Sequence, residues 1–133
     1  MISSAVTLSY RDAPAAIAWL EALGFDVLQL QSGQDGSVVH SELRWADTVV
    51  MLASDDATHE VPPLVGASTG VGLYLVTQDV DGMFARAVDA GATVVFPPEE
   101  TEWGSRRARV LDPGGREWSF GSYRPGEQWS ASA

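Results

Sequence analysis

Asp112-Pro113-Gly114-Gly115-Arg116-Glu117-Trp118-Ser119-Phe120 is the stretch that decides how this chain is read. Asp and Pro suit the opening of a β-turn, and Gly114-Gly115 suit the positive φ that such a turn needs. From Glu117 to Tyr123 the residues alternate as on a strand with two different faces. The stretch therefore predicts a tight turn feeding a final strand.

Upstream, elements of the same kind recur. Val6 to Tyr10 is a predicted strand. Asp12 caps a helix, Pro14 sits in its first turn and Gly24 ends it. Within it Ile17, Leu20 and Leu23 fall near helical spacing, with Trp19 beside them. Strands are expected at Phe25 to Gln31, Val38 to Trp45 and Thr48 to Ala53. They are separated by the turns Ser32-Gly33-Gln34-Asp35-Gly36 and Ala46-Asp47. Residues 54–69 are polar, hold Pro62-Pro63 and Gly66, and read as a connector. The pattern then returns. A strand runs from Val71 to Thr77, and a helix capped by Asp79 or Asp81 ends at Gly91. A strand follows from Ala92 to Phe96, then a loop from Pro97 to Gly104. Two strands close the chain, Ser105 to Leu111 and Glu117 to Tyr123.

The return is an internal repeat. Asp12 to Gly24 and Asp79 to Gly91 have the same spacing, and the halves are offset by 67 residues. Under that offset Ile17 falls on Phe84, Leu20 on Ala87 and Val27 on Val94, as a duplication requires. Tyr10-Arg11-Asp12, Asp79-Val80-Asp81, Ala90-Gly91-Ala92 and the Asp112 turn carry a family resemblance over roughly residues 5–125. The chain resembles the vicinal oxygen chelate superfamily, in its glyoxalase/bleomycin-resistance branch, and within that the PhnB-like proteins. The resemblance implies an α+β fold: two tandem β-α-β-β-β modules forming a curved, partly open mixed sheet with helices outside. The modules would span 1–56 and 70–125 of one structural domain, joined by a connector at 57–69 and followed by a tail at 126–133.

The resemblance also implies where a metal would sit. Metal-dependent members place four ligands, usually His or Glu, on the inner strands. The matching positions are Ala5, Met51, Gly72 and Ser119, and Ala5 and Gly72 stand 67 residues apart. These residue types cannot form a site for a hard or borderline divalent ion. No metal and no cofactor is expected. A separate candidate is His40 with Glu42, two residues apart on one strand face. They read as a weak acid/base pair, as a metal site if His59 joins them, or as a hydrogen-bonded His beside a Glu ion-paired to Arg44.

Composition narrows the function classes. The chain has 133 residues, no Cys, a formal charge of −10, and eight basic residues that are all Arg. Without Cys there are no thiolate ligands or nucleophiles, and without Lys no Schiff base. The acidic balance argues against nucleic acid and favours a cationic ligand at long range. No apolar run approaches the roughly 20 residues that span a bilayer, and the start of the chain lacks the pattern of a signal peptide. A cytoplasmic protein is expected.

Alternation assigns the strand faces. Trp118 and Phe120, Leu73 and Leu75, Val39 and Leu43, and Ala108 and Val110 are expected in the core. The hollow is then lined by His40, Glu42, Arg44, Met51, Tyr74, Arg107, Arg109, Glu117, Ser119 and Tyr123. Trp103 sits on a loop where it could close over a ligand, and Trp45 is expected as a core or dimer-interface anchor. Aromatic walls with few polar anchors suit a small molecule. The leading reading is a metal-free protein that binds, and sequesters, an antibiotic or an aromatic or cationic metabolite. The resemblance adds a homodimer with its clefts at the subunit interface. The alternatives are a metal-dependent or His/Glu-based lyase, isomerase or dioxygenase, and a structural or regulatory dimer with an inert cavity.

Overall fold

The computed structural model describes residues 4–55 and 68–126. His59, most of the connector and the tail beyond Gly126 lie outside the described residues. The elements run β1 (Val6–Tyr10), α1 (Ala13–Leu23), β2 (Asp26–Ser32), β3 (Val38–Trp45), β4 (Thr48–Ser54), β5 (Gly72–Val76), α2 (Val80–Asp89), β6 (Thr93–Glu100), β7 (Arg106–Leu111) and β8 (Glu117–Gly121). The order is β-α-β-β-β twice over. Hydrogen bonding divides the strands into two four-stranded sheets, β1-β4-β3-β2 and β5-β8-β7-β6. In each, the first strand runs parallel to the last and the other pairs are antiparallel.

The repeat is written into the backbone. The Asp12 carboxylate accepts from Ala15 N–H, and the Asp79 carboxylate from Gly82 N–H. At the helix ends Gly24 and Gly91 take φ of 113° and 112°. The amides that follow, Phe25 and Ala92, each reach back 3.0 Å to a carbonyl, on Leu20 and on Ala87. Every partner in the second half lies 67 residues after its counterpart in the first.

One face of each sheet is buried beneath the helices. Leu8, Tyr10, Leu43, Val50 and Leu52 belong to the core from the first sheet, and Leu75, Ala108, Val110, Trp118 and Phe120 from the second. Trp19 of α1 joins the halves: its indole N–H donates to the Ala87 carbonyl of α2 at 3.0 Å, and its ring lies 5.6 Å from that of Trp118. Phe25 bridges Trp118 and the half-buried Trp45, at 6.0 and 6.4 Å, which makes Trp45 a packing residue of the core.

The Asp112 turn does more than reverse the chain. Its buried carboxylate accepts from the Tyr10 hydroxyl of β1 at 2.5 Å and from the Trp118 indole at 2.9 Å. The amides of Gly114 and Arg116 add two more bonds. Arg116 donates to the Ser9 carbonyl at 2.8 Å and covers the Tyr10 ring. Only Gly115 uses positive φ, at 88°. Gly114 is required for another reason: a Cβ there would run into the Tyr10 ring. The turn is thus a latch between the two halves.

Two further expectations are corrected. Residues 97–100, expected to belong to a loop, continue β6. Pro97 and Pro98 are accommodated because β6 is an edge strand and its ladder to β7 is irregular between Phe96 and Glu99, so their missing N–H groups fall where regular pairing is interrupted. Val39, expected in the core, is 54% exposed, and Val38 is buried in its place. The register steps from Gln31↔His40 to Ser32↔Val38, so Val39 is an extra residue in a β-bulge and leaves the alternation.

Candidate functional site

The faces turned away from the helices are open. On the second sheet, register partners on all four strands form one row: Tyr74 (β5), Ser119 (β8), Arg109 (β7) and Phe96 (β6). Partners across a ladder share a face and are side-chain neighbours. Arg109 donates through Nε to the Ser119 hydroxyl at 2.9 Å, and its guanidinium lies 5.4 Å from the Phe96 ring centre. Arg107 also lies over the Phe96 ring, at 5.2 Å, is 5.6 Å from the Trp103 ring centre, and donates to Glu99 at 3.0 Å. The Tyr74 hydroxyl donates to the Tyr123 carbonyl at 2.9 Å. Burial holds the Tyr74 pKa above its ordinary value. A Cβ at Gly121 would strike the Tyr74 hydroxyl, so glycine lets the ring lie over β8. Trp103 is 63% exposed and Tyr74 39%.

Phe96 was not among the residues expected here. The ladder steps from Val94↔Val110 to Phe96↔Arg109, so Val95 is an extra residue in a bulge and Phe96 turns to the open face. The first half repeats the device. Val27↔Leu43 is followed by Gln29↔Glu42, and Leu28 is the extra residue, 67 positions before Val95.

On the first sheet the corresponding row is Thr7, Met51, Glu42 and Gln29. His40 Nε2 lies 2.7 Å from Glu42 Oε2, both half-buried. Glu42 therefore pairs with His40 rather than with Arg44, which is exposed at the end of β3. Ala5 precedes β1 and Gly72 opens β5, and a Cβ on Gly72 would touch the Glu117 side chain. Glu117 accepts from Thr69 N–H at 3.2 Å. Among the described residues no three His, Asp or Glu side chains are grouped so as to hold a metal ion. Met51 and Ser119 offer a thioether and a hydroxyl, poor donors for a divalent cation.

A separate depression of about 500 Å³ lies beside the start of α1, lined by Arg11, Asp12, Asp35, Ser37 and Asp55 among others. It has no aromatic wall and includes none of the expected site residues. Ser37 bonds hold the Asp35 carboxyl below its ordinary pKa. The aromatic rings and guanidinium groups lie instead on the open sheet face.

Comparison with known proteins names the fold. A sequence model of the Glyoxalase/Bleomycin resistance protein/Dioxygenase superfamily matches residues 3–120. The chain belongs to that superfamily. Among relatives in sequence, the uncharacterized protein Mb0911c of Mycobacterium bovis is 38% identical over 121 residues, covering 83% of this chain and 76% of the relative. Among solved structures, TioX from Micromonospora sp. ML1 matches with a TM-score of 0.71 and 30% identity, over 92% of this chain and 100% of TioX. A bleomycin-binding protein, solved in complex with bleomycin, matches with a TM-score of 0.64 and 19% identity over 93% of this chain and 100% of its own. At that identity the likeness concerns the fold alone. Within the superfamily fold, the two rows stand at equivalent places in the two repeats, on the open faces. Among the described residues no helix is long and apolar enough to cross a membrane.

Proposed function

We propose that the chain binds a small aromatic molecule on the open faces of its sheets, as a homodimer in the cytoplasm, and holds it without a divalent ion. The observation that carries this is the aromatic face of the second sheet. Phe96 and the exposed Trp103 contact two guanidinium groups, and the exposed Tyr74 stands in the same row two strands away. Exposed aromatics set among a few directional polar groups are the usual make-up of a ligand site. The bleomycin complex of a protein with this fold supports the sequestering form of the reading. The metal-free part rests on donor chemistry at Ala5, Met51, Gly72 and Ser119.

The 2.7 Å His40–Glu42 contact favours a second reading, an enzyme in which Glu42 orients His40 as a general base. A thermal-shift screen separates the two. Bleomycin, flat aromatic antibiotics and the ions of Ni, Co, Fe and Zn are added in turn. A ligand at 100 times its dissociation constant stabilises by about 2.7 kcal/mol, a rise of several degrees for a domain of this size. A rise with an aromatic compound that is lost in Trp103→Ala upholds binding. A rise with a metal that is lost in His40→Ala overturns the metal-free reading and moves the protein among the enzymes.

A further inference from the structure

The three arginines of β7 are not alike. Arg106 is held by Asp81 and Glu100, with contacts of 2.7 and 3.1 Å. Arg107 is held by Glu99 at 3.0 Å. Arg109 bonds only to the neutral Ser119 hydroxyl, and among the described residues no carboxylate neutralises it. Its Nε is used by that bond and its plane is set by the contact with Phe96. This leaves the two terminal nitrogens, with their parallel N–H groups, to meet a partner. Ser119 accepts from Arg109, so its own hydroxyl proton is available in the same place.

We infer that the row Tyr74–Ser119–Arg109–Phe96 is an anchoring subsite for an aromatic carboxylate. The inference rests on the reading that the open face binds a small molecule, and it names the chemical class. The carboxylate takes the guanidinium edge in two parallel N–H bonds, the geometry that a planar two-oxygen anion shares with Arg. The Ser119 hydroxyl supplies a third bond. The ring system lies along the row against Tyr74 or Phe96. Strands are spaced about 4.8 Å apart, so the row is about 14 Å long, enough for a fused two-ring acid.

Net charge points the other way, since −10 draws cations from a distance. That field is screened beyond about 8 Å at physiological salt, whereas a guanidinium in direct contact with a carboxylate is not separated from it by solvent. Local chemistry therefore decides the class. The equivalent row on the first sheet shows the contrast: Glu42 stands where Arg109 stands, between Met51 and Gln29.

The test uses the full chain with three probes of one shape: 2-naphthoate, 2-naphthamide and 2-naphthylmethylamine. Affinity is read by titration calorimetry. The naphthoate is expected to bind at least tenfold more tightly than the other two. Arg109→Gln is expected to remove that tenfold preference, weakening the naphthoate far more than the amide. Arg109→Lys keeps the charge but loses the paired bonds, and should keep only part of the preference. Melting curves confirm that the variants fold. If amide or amine binds as well as naphthoate, and binding is lost in Tyr74→Ala, the carboxylate inference fails while the aromatic site stands. If no probe binds, both fail. If naphthoate binds equally to Arg109→Gln, the anchor lies elsewhere and the inference is wrong.

Discussion

Replacing Asp112 by alanine should be among the most damaging single changes in this chain, although the residue lies in a turn and far from the open-face row. The carboxylate is 3% exposed and accepts four hydrogen bonds. Two of the donors, the Tyr10 hydroxyl and the Trp118 indole, belong to residues 2% and 0% exposed. Water cannot reach them in the folded protein. A buried donor left without a partner costs about 1–3 kcal/mol, so the pair gives about 4 kcal/mol. The Gly114 and Arg116 amides are only partly buried, and water replaces much of what they lose. Total stability for a single domain is about 5–15 kcal/mol, so the variant loses a large share. For this chain length the melting temperature should fall by about 12–20 °C. Urea unfolding followed by tryptophan fluorescence and far-ultraviolet dichroism measures the loss directly. The latch makes a second demand. In a double variant with Tyr10→Phe the hydroxyl is already gone, so the two losses should fall short of additive by about 1–3 kcal/mol. A loss below about 1 kcal/mol for Asp112→Ala, or strict additivity with Tyr10→Phe, would refute the reasoning.

The neighbouring glycines should separate packing from backbone strain. Gly114→Ala should cost about 1–3 kcal/mol because the new methyl meets the Tyr10 ring. Gly115→Ala has open space, and its cost should be the smaller penalty of φ at 88°. Equal losses in urea melts would show that the Tyr10 contact is not what selects Gly114. Alkaline pH should also weaken the latch. Burial, and then the hydrogen bond to Asp112, hold the Tyr10 phenol well above its ordinary pKa of about 10. Below that pH the folded and unfolded chains both keep the proton, and stability is flat. Above it the unfolded chain releases the proton first, so stability falls with a slope of up to about 1.4 kcal/mol per pH unit. Tyr10→Phe should lack this component, and parallel curves for the two proteins between pH 10 and 11 would exclude it.

How much of this was legible in the chain follows from what each signal measures. Caps, turns and the offset between Asp12 and Asp79 are local chemistry, and they located the helices and the order of the strands. Alternation placed Trp118, Phe120, Ala108, Val110 and Leu75 in the core, because β5, β7 and β8 pair without a bulge over those residues. It failed at Val39 and did not single out Phe96, and at both places a strand gains a residue that its partner lacks. A bulge is a property of two strands together, so one strand's sequence does not announce it. The Asp112 latch escaped for a similar reason. Its turn is readable, but its bond to Tyr10 spans 102 residues.

The duplication suggests why the two halves were free to diverge in charge. Everything conserved between them at the 67-residue offset is structural: the Asp caps, the left-handed glycines, the bulges at Leu28 and Val95. These fix which positions face outward. They do not constrain what is placed there, because the outward positions carry little of the core. Gln29 and Phe96, Glu42 and Arg109, Met51 and Ser119, Thr7 and Tyr74 occupy matched places with unmatched chemistry. A fold that sets geometry by duplicated caps and bulges can exchange an acidic row for a basic aromatic one without altering its core. The proposed carboxylate anchor uses that difference between the halves: it lies in the second, where Arg109 is unneutralised among the described residues, and has no counterpart in the first, where Glu42 holds the matched place.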